Sequence, residues 1–84
     1  MTLDQRFVYI LKSTVHLNRY YSGLTADVTA RLASHNAGLS KHTATGRPWN
    51  VIAVVEFTDP ERAADFELYL KSGSGRAFAR RHFR

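Results

Sequence analysis

Cysteine is absent from this 84-residue chain, so neither a disulfide framework nor a thiolate metal site substitutes for a packed core. A chain this short buries only about 60 to 65% of its unfolded surface, so nearly every large apolar residue must serve one compact core. That leaves room for a single domain over residues 1–84. The missing thiols make a reducing compartment, the cytoplasm, the expected location. No apolar run approaches the roughly 18 to 20 residues of a membrane span, and the opening MTLDQRF lacks the pattern of a secretory leader.

Short β-rich runs and capped helical segments divide the chain. RFVYILK (6–12) and NRYYSGL (18–24) read as a hairpin joined by STVHL. A register in which paired numbers sum to 30 sets Tyr9 opposite Tyr21, on one face because strand side chains repeat every two residues. Thr25 is the expected cap of a first helix over about 26–37, with Asp27 in its first turn and Gly38 as its left-handed stop. GLSKHTATGRPW follows as a polar, turn-rich loop, and VIAVVEF (51–57) as a buried strand expected at the sheet's centre. Asp59 and Pro60 start a second helix that Gly73 is expected to end, and Ser74 restarts the chain as a short basic helix over about 75–83. The order is ββαβαα: a small sheet covered by helices, α+β or mixed α/β.

Charge suggests a partner. The net charge is +5, and the last nine residues include Arg76, Arg80, Arg81 and Arg84. Residues 1–75 carry eight basic against seven acidic side chains, so the excess lies in the tail. With Lys41, His42 and Arg47 in the long loop, this distribution suits a polyanion such as DNA or RNA.

Polar residues fall beside expected core faces. At about 100° per residue, Arg31 and His35 flank the stripe of Val28 and Leu32, where they suit a phosphate held between helix and hairpin, or a boundary role. On the second helix Glu67 shares a side with Ala63, Phe66 and Leu70. A core-facing carboxylate costs several kcal/mol unless paired. Its expected partner is Arg31 or another basic residue, or else Mg²⁺, which binds through one carboxylate with water and phosphate filling the remaining positions. The four histidines lack zinc-finger spacing, and no nucleotide-binding or hydrolase motif occurs.

Phe7-Val8-Tyr9, then Tyr21-Ser22-Gly23, Arg31 eight residues beyond the glycine, and a glutamate on the next long helix together resemble the GIY-YIG nuclease superfamily. VYILKS, YYSGLT, RLASHNAG and ELYLKSGSGRAFARRH look like its small stand-alone bacterial members, and the resemblance covers nearly the whole chain. It implies a three-stranded antiparallel sheet flanked by helices and Mg²⁺- or Mn²⁺-dependent endonucleolytic hydrolysis of DNA, with little intrinsic sequence preference. By the same resemblance Tyr9 helps activate or position the attacking water, Tyr21 orients through its hydroxyl, and Arg31 stabilises phosphate charge. Glu67 holds the metal, and His35 assists proton transfer. Phe7, Ser22 and Leu24 depart from the glycine, isoleucine and lysine found at those places in the family or in some of its repair members. Two rival readings remain: a non-catalytic nucleic-acid-binding or partner-docking domain working through its basic tail, and a purely structural Arg31–Glu67 ion pair.

Overall fold

The computed structural model describes residues 4–84. Strands β1 (Phe7–Ser13), β2 (Tyr20–Thr25) and β3 (Trp49–Glu56) form an antiparallel sheet in the order β2-β1-β3. With helices α1 (Val28–Asn36), α2 (Pro60–Leu70) and α3 (Gly73–His82), the chain runs ββαβαα, an α+β fold.

The central strand is β1, and the 51–57 run expected there forms most of an edge strand. Burial gives the reason. Val8, Tyr9, Ile10 and Leu11 are all buried, which only a strand covered on both faces allows. Val8 and Ile10 meet Ala63 and Leu70 of α2 and Ala79 of α3, while Tyr9 and Leu11 pack with Trp49, Tyr21, Val28 and Leu32 on the α1 side.

The hairpin register differs from expectation by two residues: Tyr9 pairs with Gly23, and Tyr21 with Leu11. The turn sets it. Ser13 Oγ accepts the amides of Val15 and His16, Asn18 takes a left-handed φ of 64°, and Ser13 N donates to Arg19 O at 3.0 Å. A shift of two preserves side-chain parity, so Tyr9 and Tyr21 still share a face.

Helix boundaries follow side-chain caps. Asp27, rather than Thr25, caps α1, its Oδ1 accepting from Ala30 N at 3.1 Å, and α1 starts two residues later than expected. Gly38, at φ 79°, supplies the left-handed stop. Asp59 caps α2, with Pro60 its first residue. That helix ends at Leu70, and Gly73 belongs to α3 instead of closing α2. Ser72 makes the break: its Oγ donates to Tyr69 O at 2.6 Å and accepts from Gly75 N at 3.1 Å.

Candidate active site

The site begins with Gly23. A Cβ there would overlap the hydroxyl of Tyr9, its partner across the hairpin, so the missing side chain is the space the phenol occupies. Tyr9 is 1% exposed, and its hydroxyl lies 2.9 Å from His35 Nε2. Tyr21 completes the group, its ring edge-on to His35 at a centroid distance of 5.0 Å.

His35 is fully buried, and its tautomer follows from its partners. Thr43, also fully buried, donates its hydroxyl hydrogen to Ser40 O at 3.4 Å, which leaves Oγ1 to accept from His35 Nδ1–H at 2.7 Å. Nε2 is then the bare nitrogen, and Tyr9 O–H donates to it. The Thr43 loop is fixed in turn by Trp49, whose Nε1 donates to Thr43 O at 2.7 Å. Asn36 clamps the backbone of Trp49, accepting from its amide at 2.6 Å and donating to its carbonyl at 3.2 Å.

Arg31, one turn before His35, places its guanidinium beside the Tyr9 and Tyr21 hydroxyls while remaining exposed overall. None of its contacts has the short, aligned geometry of the Tyr9–His35 bond. Burial raises the pKa of Tyr9, Arg31 opposes that rise through hydrogen bonding and charge, and Tyr21 and Glu67 add to it. Burial, then the Arg31 charge, lowers that of His35, so the imidazole is neutral at neutral pH. Stability therefore carries a histidine signature. A depressed folded-state pKa stabilises the fold at pH values above the unfolded value of about 6.5, and that stability is lost as pH falls toward the folded value. Urea denaturation at pH 7 and pH 5 should show a decline that His35→Gln lacks. An equal decline in both chains would exclude His35 as its source.

Glu67 enters from α2, which lies along β2. Its Oε1 pairs with Lys71 Nζ at 3.4 Å, one turn on, and that ammonium lies 5.6 Å from the Tyr21 ring centroid. Oε2 is buried and has no hydrogen-bond partner among the described residues. The carboxylate is thus paired with Lys71, and among the described residues no Arg31–Glu67 ion pair forms. An orphaned carboxylate oxygen fits a hard divalent cation that takes its other ligands from water and phosphate. Among the described residues no group of three or more His, Cys, Asp or Glu is placed to hold a metal.

Tyr9, Tyr21, Arg31 and His35 therefore gather together, and Glu67 is linked to them through Lys71, whose ammonium reaches the Tyr21 ring. The basic residues do not join them as one set. Lys41 and His42 are exposed on the loop after α1, and Arg47 packs its guanidinium over Gly38. Arg80 and Arg81 are exposed on α3, and Arg76 lines a cleft at the β2 edge. Two members were missed from sequence. Lys71 was within reach, four residues after Glu67 on one helix face. Thr43 carried no local signal, because an irregular loop places it.

No helix among the described residues is long and apolar enough to cross a membrane, and no solved structure matches the chain. The relatives are bacterial. UPF0213 protein lwe0147 of Listeria welshimeri is 42% identical over 69 residues, 81% of this chain and 74% of the relative. UPF0213 protein SH2523 of Staphylococcus haemolyticus is 37% identical over 73 residues, 86% and 87% of the two chains. UPF0213 protein YsiG of Lactococcus lactis is 36% identical over 70 residues, 82% of this chain and 65% of the relative. The model of the GIY-YIG catalytic domain matches residues 5–81. With that span matched and the motif tyrosines gathered around one arginine, the chain belongs to the GIY-YIG family, a nuclease-type family, beside the small bacterial UPF0213 proteins.

Proposed function

We propose that residues 1–84 act as one catalytic domain, a divalent-metal-dependent endonuclease that hydrolyses DNA phosphodiester bonds with little sequence preference, in the cytoplasm. The observation that carries this reading is the buried, unpartnered Oε2 of Glu67 beside the tyrosine–arginine cluster.

Glu67 would hold Mg²⁺ or Mn²⁺. Bound there, the ion supplies a Lewis acid for the departing oxygen. Arg31, exposed at the mouth of the cluster, stabilises charge on the non-bridging phosphate oxygens. The two tyrosines divide their work by depth. Tyr9 is sealed and its proton is directed at His35, whereas Tyr21 is only half-buried. Tyr21 is therefore the phenol that meets and orients the attacking water, the role that family resemblance suggests for Tyr9. Tyr9 supports it from beneath, held in place by the hydrogen bond it donates to neutral His35. Contacts from the basic side chains to phosphate, without base readout, give salt-sensitive and sequence-tolerant binding.

The test is nicking of supercoiled plasmid with Mn²⁺ by the wild type, Arg31→Ala and Tyr21→Phe. Arg31→Ala should lose about 10² to 10³ in rate, the scale of one charge-stabilising group, and Tyr21→Phe at least about tenfold. Equal nicking by all three would reject the assignment. Salt-sensitive DNA binding without metal-dependent nicking by the wild type would favour the non-catalytic reading.

A further inference from the structure

We propose that the cleft along the outer edge of β2 is a phosphate-binding site that holds the nucleic-acid backbone next to the scissile position, an inference that rests on the nuclease reading for its substrate class. The cleft has a volume of about 420 Å³ and lies between β2, the end of α2, and α3. Arg19, Lys71, Arg76 and Arg84 line it, and among the described residues no Asp or Glu does.

The four cations are not equivalent. Arg19 already spends its guanidinium on Thr45 Oγ1 at 2.7 Å and His42 O at 2.8 Å, so it contributes field rather than free donors. Arg84 is held in place, its guanidinium 4.4 Å from the Tyr20 ring centroid and donating to Arg76 O at 3.4 Å. Arg76 makes no ion pair among the described residues. Two arginine side chains therefore line one cleft, one of them held in place by its contacts.

Why the backbone, and not a base? The Tyr20 ring is flanked by Arg84 and by Lys12, whose Nζ lies 5.9 Å from its centroid. Tyr21 is engaged by His35 and Lys71. Both rings already carry cation contacts, Tyr20 with Arg84 and Lys12 and Tyr21 with Lys71, and the cleft offers charge, which phosphate takes. Its position links it to the chemistry. Tyr21 and Lys71 line the cleft, and both belong to the cluster around Glu67.

Binding of a fluorescein-labelled 15-nucleotide DNA strand, followed by anisotropy in EDTA across a salt series, tests this without metal or turnover. Arg76→Gln/Arg84→Gln should weaken binding about tenfold and reduce the slope of log Kd against log salt by about 1 to 1.5, near 0.7 per lost phosphate contact. The charge-matched Arg6→Gln/Arg62→Gln chain, altered outside the cleft, should stay within about threefold of wild type. Equal losses in the two double variants would overturn the proposal, since affinity would then follow net charge; so would wild-type binding by the cleft variant. Plasmid nicking with Mn²⁺ separates the two ideas. Cleft-dependent binding without nicking supports the phosphate site and sinks the nuclease reading, while nicking with cleft-independent binding sinks only the site.

Discussion

Glu67→Gln should abolish Mn²⁺-dependent nicking, a fall of at least about 10²-fold, and leave the fold standing. The substitution is nearly isosteric and removes the charge from a side chain whose Oε2 has no partner among the described residues. What the fold loses is an i, i+4 pair with half-exposed Lys71, worth about 0.5 kcal/mol or less after solvent screening. Removal of a partly buried charge offsets part of that, so the melting temperature should move by no more than a few degrees. Calorimetric titration with Mn²⁺ supplies a second readout, in which the variant should show no specific heat of binding. Activity lost together with the fold would make Glu67 a structural residue. Full activity would remove it from the metal site.

The other large effect is expected at Gly23. An alanine Cβ would overlap the hydroxyl and ring of Tyr9, which is wedged between β2 and His35 with 1% of its surface exposed. Overpacking of this kind costs about 2 to 3 kcal/mol, enough to lower the melting temperature by about 10 °C or more in a domain of this size. Nicking should fall with it, because the displaced phenol carries the bond to His35. A double-mutant cycle identifies the cause: in a Tyr9→Phe background, which lacks the hydroxyl, Gly23→Ala should cost less than in the wild type. Additive losses would show that strand propensity, and not the phenol, is what the glycine serves.

Several of these features were legible in the residue string because they depend on local periodicity. The two-residue period of a strand puts Tyr9 and Tyr21 on one face whether the pairing sum is 30 or 32, so the even register error left the site intact. Spacing of four on a helix joined Arg31 to His35, and the Asp59–Pro60 start of α2 is likewise a local signal. What escaped was set at a distance. Which β-rich segment takes the middle of a sheet depends on being covered from both sides, and nothing inside VIAVVEF reveals that helices pack over RFVYILK instead. The hairpin register turned on the Ser13 hydroxyl and the left-handed Asn18. The partner of His35 turned on a loop held in place by a tryptophan.

That tryptophan has a practical consequence. Trp49 is the sole indole in the sequence, it is 2% exposed, and its Nε1 bonds the same threonine whose hydroxyl sets the His35 tautomer. Its intrinsic fluorescence is therefore a label-free gauge of the innermost end of the hydrogen-bond chain behind Tyr9. A shift of emission to longer wavelength during titration with substrate or acid reports water arriving at that point, with no extrinsic dye in the experiment.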